Sequence, residues 1–156
     1  MNMSHGVIYI HSAPAALRPH IDWAIQAILA KPANLDWTRQ PAQPSTFRAE
    51  MNWQGPQGAS AGLASALRNC RLARFEITEG CHHRYSYTPT LGMFHAQLLA
   101  NGDIAVGEQQ LRALLDTKPD ANLRDGLKNL LGQAWDDELE PFRHASESTR
   151  WIYRVG

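Results

Sequence analysis

The densest group of residues that could do chemistry lies near the end of the chain, in the segment AWDDELEPFRHA at residues 134–145. Its carboxylates could hold a metal ion or transfer protons. On an unbroken helix, however, Asp136 and Glu140 share the solvent side while Asp137 and Glu138 point elsewhere, because each residue turns by about 100°. Since the carboxylates diverge, we expect neither a metal site nor a catalytic site in this segment.

The same segment is better explained as a surface for partner recognition. Glu140 and Arg143 are three residues apart, a spacing that predicts an exposed ion pair worth about 0.3 kcal/mol. Pro141 lacks an amide hydrogen and predicts that the helix kinks or ends at Glu140. Several acids at a helix C-terminus oppose the helix dipole, which indicates a role other than stability. The partner-binding candidates in this segment are Trp135, Asp136, Asp137, Glu140 and Arg143.

A second group of ligand-type side chains is the run Cys81, His82 and His83. Adjacent residues point apart, so a tetrahedral metal site would need distant ligands such as His95 or His144. A solvated loop between strands is the simpler interpretation of this run.

Two further patterns could be taken for reaction or phosphate sites. His11 and Ser12 are a possible base and nucleophile, but neighbours on a strand face opposite ways, and we interpret Ser12 as a helix cap. Gly55, Gly58 and Gly62 precede a predicted helix and could expose amides to an anion. Their spacing matches neither the Walker motif nor the dinucleotide motif, so the glycines are a weak phosphate candidate.

The composition argues against several classes of function. Fifteen basic and fifteen acidic residues and a pI near 7.1 leave no overall field that would attract nucleic acid. The start of the chain has no basic leader, and its longest apolar run, residues 7–10, is too short to span a bilayer. We expect a cytoplasmic protein without a membrane segment or a cofactor, whose two cysteines, Cys70 and Cys81, are free thiols.

The first half of the chain contains four segments with strand-like alternation and two with helical periodicity. In chain order they are strand 6–11, helix 15–30, strand 35–40, strand 46–54, helix 59–69 and strand 71–79. This order over about residues 6–79 is the split βαβ of ferredoxin-like folds, an antiparallel sheet with both helices on one face. The other face would carry Tyr9, His11, Thr38, Arg48, Glu50, Arg74 and Glu76, which suits cross-strand ion pairs or cover by the second half.

The second half of the chain predicts an extension that packs on this sheet. Residues 84–99 predict one or two strands about a Pro-Thr-Leu-Gly turn, and residues 103–106 a short strand. Two helices are predicted at 107–118 and 122–140, and a last strand is predicted at 149–155. The chain is therefore predicted to be one α+β domain over residues 1–156, in which residues 80–156 add further strands and two or three C-terminal helices.

The tryptophans indicate where a partner could bind. Trp23 lies roughly 140° from the centre of the apolar stripe of its helix, so it faces solvent, a satellite cluster or a partner. Trp135 and Trp151 could join either kind of cluster. We add Trp23 to the partner-binding candidates.

Four stretches of this sequence resemble the actinobacterial family known as domain of unknown function 3145. They are GVIYIHSAP, YSYTPTLGMFHA, AWDDELEPFRHA and the final RWIYRVG, and the resemblance covers nearly the whole chain. The family has no assigned catalytic residues, so the resemblance implies none here. It implies a cytoplasmic actinobacterial protein, and the proximity of the family's genes to those of fatty-acid synthesis suggests a partner in acyl-CoA metabolism.

These observations predict a non-catalytic accessory or regulatory protein that binds an enzyme of acyl-CoA carboxylation or fatty-acid synthesis. The alternative is a small-molecule-binding domain or a small enzyme with a pocket between the two halves. The polar lining of that pocket would be His11, Tyr85, Tyr87 and His95. A metal protein using Asp136, Asp137 and Glu138 is a weaker third possibility.

Overall fold

The computed structural model describes residues 2–117 and 119–144. Within these ranges the strands are β1 (Met3–Pro14), β2 (Thr38–Arg39), β3 (Thr46–Pro56), β4 (Arg74–Glu79), β5 (His83–Thr88), β6 (Gly92–Leu98) and β7 (Ile104–Ala105). The helices are α1 (Arg18–Leu29), α2 (Ala59–Arg68), α3 (Glu108–Thr117), α4 (Asp120–Leu130) and α5 (Gln133–Arg143). The strand predicted at 149–155 and Trp151 lie outside the described residues.

The described strands form one antiparallel sheet in the order β2-β3-β1-β4-β5-β6-β7. The predicted α+β class is confirmed. Strand β1 is longer than the sequence pattern indicated, and its pairing register with β3 shifts between Ile10 and Ala13, as at a β-bulge. Strand β2 covers only two residues of the predicted 35–40 segment, so within residues 2–117 and 119–144 no strand pairs with the outer edge of β3 beyond Arg48.

One face of the sheet forms the apolar core. Ile8 lies opposite Met51 on β3 and Ile77 on β4, and directly opposite residues of antiparallel strands point to the same face. Helices α1 and α2 contact each other and cover this face, because their apolar stripes repeat at helical spacing. The fully buried helix residues of this core are Ile21, Ile25, Leu63 and Leu67. Each buried aliphatic side chain contributes about 1.5–3 kcal/mol to folding.

The second face of the sheet is polar and is covered in part by α5. Tyr9, His11 and Glu76 are buried there, as the alternation of β1 and β4 predicted. Helix α5 contacts β1 and β5, and its side chains Leu139 and Phe142 are buried. Helix α5, from the second half of the chain, thus covers part of this face.

The helix predicted at 122–140 is wrong in its continuity. The chain leaves the helix at Gly132, which has a left-handed φ of 75°, and α5 begins at the next residue. Leu127 and Leu131, which an unbroken helix would place in one apolar stripe, are 41% and 49% exposed. Pro141 lies inside α5 without ending it, and the residues after it, Phe142 and Arg143, are buried against the sheet.

Residue 132 must be glycine for two reasons. Its φ is unfavourable for other residues, and a Cβ at this position would lie 2.5 Å from a ring atom of Phe94. None of the helices within 2–117 and 119–144 has the length and apolar character needed to cross a bilayer.

We expect Gly132→Ala to destabilise the protein by about 2–4 kcal/mol, through backbone strain and overlap with Phe94. Gly92→Ala is the matched control, because Gly92 has a φ of 79° but a Cβ added there would meet no atom within 4 Å. The control should lose only about 1–2 kcal/mol of stability, through backbone strain alone. Urea unfolding of both variants measures the difference, and equal losses would contradict the close approach of Phe94.

Candidate functional site

The most highly connected polar group in the described part of the chain surrounds Glu76 on β4, which is 1% exposed. Arg143 of α5 donates from Nε to Oε1 at 2.7 Å and from Nη2 to Oε2 at 2.6 Å. Ser86 Oγ of β5 donates to Oε2 at 2.9 Å, and His11 Nε2 of β1 lies 2.9 Å from Oε1. Side chains from three elements, α5, β5 and β1, therefore form hydrogen bonds with the two carboxylate oxygens of Glu76.

The surroundings keep Glu76 ionised. Burial by itself would raise the pKa of its carboxyl group, but the hydrogen bond from His11 and the charge of Arg143 outweigh burial and hold the pKa far below its usual range. Arg143 also contacts Asp136 Oδ1 at 3.2 Å. At neutral pH the group is thus a buried ion pair in which a bidentate guanidinium holds a carboxylate.

This network fastens α5 to the sheet and does not present a reacting atom to solvent. His11, Glu76 and Arg143 are each buried, and a catalytic group must reach its substrate. Ser12, interpreted as a helix cap, lies instead within β1, and its hydroxyl accepts a hydrogen bond from Arg74 at 3.3 Å. The cap interpretation is wrong because β1 continues to Pro14 before the helical turn begins.

The acids of the 134–145 segment have separate partners. The predicted surface pair of Glu140 with Arg143 is wrong, because α5 directs Arg143 inward beside Leu139 and Phe142, at i and i+3/i+4 spacing. Glu140 lies 3.2 Å from His144, Glu138 accepts from Arg74 at 3.0 Å, and Asp137 accepts from Gln133. Among residues 2–117 and 119–144, no three His, Cys, Asp or Glu side chains are close enough to hold a metal ion.

Trp135 is half-buried and contacts the β5–β6 hairpin. Its Nε1 donates to the carbonyl of Gly92 at 2.9 Å, and its ring lies 5.1 Å from that of Phe94. These contacts place Trp135 in the interface between α5 and the sheet, so much of its surface is used within the chain.

The glycine-rich segment before α2, the weak phosphate candidate, binds the carboxylate of Glu79. Glu79 of β4 accepts hydrogen bonds from the amides of Gly58 and Ser60 and from the Ser60 hydroxyl. Burial raises the pKa of Glu79, but these hydrogen bonds dominate and lower it below the usual value. The phosphate candidate is therefore corrected, because a carboxylate already occupies these amides.

The four ligand-pocket candidates lie on both faces of the sheet. His11 contacts Glu76 on the second face, whereas Tyr85 and Tyr87 lie opposite Ile77 and Phe75 on the apolar face. His95 lies opposite Tyr85, and the two rings stack at 4.3 Å. The sheet separates His11 from the other three, so the four residues do not line one cavity together.

His95 also contacts His83, the first residue of β5. His95 Nε2 and His83 Nδ1 lie 2.9 Å apart. Burial and the nearby charge of His83 lower the pKa of His95, because two protonated imidazoles at this distance repel each other. His83 therefore belongs to a histidine pair. Cys81, its neighbour in the predicted ligand run, and Cys70 are both free thiols, as predicted.

A cavity of about 750 Å³ lies near the start of β1, where residues from both halves of the chain meet. Its walls include Val7, Met51, Asn52, Arg84 and Leu98. Sequence reasoning did not identify these residues, because they come from four separate strands and no local spacing connects them.

A second depression lies between α1 and α2 and contains Trp23. The indole is 63% exposed, as its position outside the apolar stripe predicted, and the edge of His20 packs against it at 5.3 Å. Leu17, Ala24, Ala66 and other residues of the two helices complete a groove of about 620 Å³. The arrangement holds a large aromatic side chain at the surface beside an apolar groove.

The chain belongs to the family described as "Protein of unknown function (DUF3145)", whose model matches residues 7–154. No curated protein and no solved structure matches the chain.

Replacing Glu76 by glutamine should destabilise the protein by about 3–5 kcal/mol, because Arg143 would remain buried without its anionic partner. Glu138→Gln, which removes a partly exposed pair with Arg74, should cost about 1 kcal/mol or less. Chemical denaturation at pH 7 measures both. Similar losses in the two variants would contradict the special role of Glu76.

The pH dependence has a definite sign. A carboxyl group whose pKa is lowered by folding stabilises the native state above its unfolded pKa, and this stabilisation is lost as pH falls below that value. Wild-type stability should therefore decrease as the pH falls from about 5 toward 2. Glu76→Gln should show a shallower decrease, to which Glu79 still contributes. An unchanged pH profile in this variant would contradict the lowered pKa of Glu76.

The histidine pair gives a separate titration experiment. The His95 ring should titrate below pH 6.5, the ordinary value for histidine, when its ring protons are followed by NMR. His83→Gln should move the pKa of His95 back toward that value, although burial keeps it from returning fully. His20→Gln is the control, and a His95 pKa that does not respond to His83→Gln would refute the electrostatic coupling.

Proposed function

We propose that the protein is a non-catalytic accessory or regulatory protein that docks onto an enzyme of acyl-CoA carboxylation or fatty-acid synthesis. The observation that carries the proposal is the exposed Trp23 beside the α1–α2 groove. Tryptophan is enriched among residues that dominate protein–protein binding, especially where a neighbouring pocket allows it to be fully desolvated. An indole that is mostly exposed in the isolated chain has a large area to bury against a partner.

The acidic segment offers a second, polar candidate surface, which α5 places on the opposite face of the sheet from α1 and Trp23. Asp137 and Glu140 are exposed on α5, and charged residues at the rim of an interface favour specificity and rapid association. Trp135 and Asp136 are only partly exposed and Arg143 is buried, and all three make contacts within the chain. We therefore assign partner binding first to Trp23, then to Asp137 and Glu140.

The class of partner rests on the family resemblance and not on the geometry. The proximity of the family's genes to those of fatty-acid synthesis supports an enzyme of acyl-CoA carboxylation or fatty-acid synthesis as partner. The same resemblance supports a cytoplasmic location in an actinobacterium.

We also infer that the first half of the chain is a ferredoxin-like unit. The support is the element order from β1 to β4, the strand order β2-β3-β1-β4 and the antiparallel pairing of each neighbouring pair. The contact between α1 and α2 on one face of the sheet agrees with this arrangement.

The second candidate function is a small-molecule-binding domain or small enzyme. The cavity near the start of β1 favours it, since its volume is within the range of about 300–1,000 Å³ typical of ligand pockets. Native mass spectrometry of the purified chain would detect a co-purifying metabolite. Such a metabolite, in a chain that binds no enzyme of the proposed class, would favour this candidate over the first.

Trp23→Ala tests the docking proposal. Enzymes that co-purify with the tagged chain are identified by mass spectrometry, purified, and titrated with the chain in a biosensor assay. Trp23→Ala should weaken binding at least 10-fold, about 1.4 kcal/mol, because an aromatic anchor is removed. Leu115→Ala is the control, since Leu115 is 65% exposed on α3. Equal affinities for wild type and Trp23→Ala, or recovery of this chain alone at its monomer mass, would contradict the proposal.

A further inference from the structure

The cavity near the start of β1 lies on a part of the sheet that the Glu76 network does not use. It is lined by His5, Gly6, Val7 and Tyr9 of β1, whereas His11 of the network lies toward the other end of the strand. Residues 29–34, β3, β4, β5 and the β6–β7 region supply the remaining walls. The cavity is therefore separate from both the buried ion pair and the Trp23 groove.

The lining of this cavity carries positive charge without a compensating acid. The two charged side chains of the lining, Lys31 and Arg84, are both cationic. Among the described residues that line the cavity there is no aspartate or glutamate, although the whole chain has equal numbers of acidic and basic residues. A concave surface with this imbalance attracts an anion.

Arg84 is the residue placed to recognise the anion. It lies on β5 opposite Thr78, and its Nε is buried without a hydrogen-bond partner in the described part of the chain. The guanidinium group is a planar fork of donors that matches the two oxygens of a carboxylate. An anionic ligand at this end of the cavity would supply the acceptor that the buried Nε lacks.

The rest of the lining is largely apolar. Val7 and Leu98 line it on the sheet face that carries Arg84, and Leu29, Met51 and Trp53 line it on the side of the apolar core. Asn52, Gln54 and Thr78 add a few neutral polar groups. Mostly apolar walls with a small number of polar groups are typical of sites for small organic molecules. A fully hydrated inorganic ion would leave this apolar surface without a partner.

We propose that this cavity binds an amphipathic organic carboxylate, with its carboxylate on Arg84 and its apolar part against Val7 and Leu98, which lie on the same sheet face as Arg84. The proposal rests on the ligand-binding alternative described above and names the class of its ligand. It is independent of partner docking, because Trp23 does not line the cavity.

Calorimetric titration of the full chain with octanoate, octanol and octyl phosphate tests the proposal. Octanoate should bind saturably and more tightly than the other two probes. Arg84→Gln should weaken octanoate binding at least 10-fold and leave octanol binding unchanged. Arg68→Gln is the matched control, because Arg68 is exposed on α2 and does not line the cavity. Asn52→Trp, at an exposed lining position, should also weaken octanoate binding by filling the cavity.

The proposal is overturned if octanoate does not bind saturably, or if Arg84→Gln and Arg68→Gln lose equal affinity. It is also overturned if octanol or octyl phosphate binds at least as tightly as octanoate. The Asn52→Trp variant keeps the test decisive if Arg84→Gln does not fold, since unchanged octanoate affinity in Asn52→Trp would place the ligand elsewhere. If native mass spectrometry finds a bound metabolite while octanoate does not bind, the ligand class is wrong and the ligand-binding alternative stands.

Discussion

The second half of this fold depends on the ionised carboxylate of Glu76 inside the protein. A buried charge is strongly unfavourable unless an opposite charge and hydrogen bonds compensate it. Here compensation comes from Arg143 on α5, His11 on β1 and Ser86 on β5. Because Arg143 reaches Glu76 only when α5 crosses the sheet, the position of the helix and the ionisation of the carboxylate are coupled.

The second sheet face has two regions, one that α5 covers and one that lines the large cavity. Toward the end of β1, α5 covers the Glu76 network, and Trp135 and Glu138 add contacts to β6 and β4. Toward the start of β1, the same face contributes Val7, Asn52 and Arg84 to the large cavity. The buried groups Glu76, His11 and Arg143 thus stabilise the fold. Arg84 in the cavity and the exposed Trp23 remain for binding.

Local periodicity predicted much of this architecture. Alternation placed Tyr9, His11 and Glu76 on one face, and the helical stripe of α1 placed Trp23 outside the core, since both patterns depend only on neighbouring residues. The break at Gly132 depends on a backbone angle and on contact with Phe94, which periodicity does not encode. The burial of Arg143 depends on a carboxylate 67 residues away, and the cavity on residues from separate strands, so neither had a local signal.

A double-mutant cycle between Glu76 and Arg143 measures the central interaction most directly. The free energies of unfolding of wild type, Glu76→Gln, Arg143→Met and the double variant give the coupling energy of the two side chains. Our account predicts a coupling of about 2–3 kcal/mol, so that the double variant is much less destabilised than the sum of the single variants. Additivity within about 0.5 kcal/mol would show that the two groups do not stabilise the fold through each other.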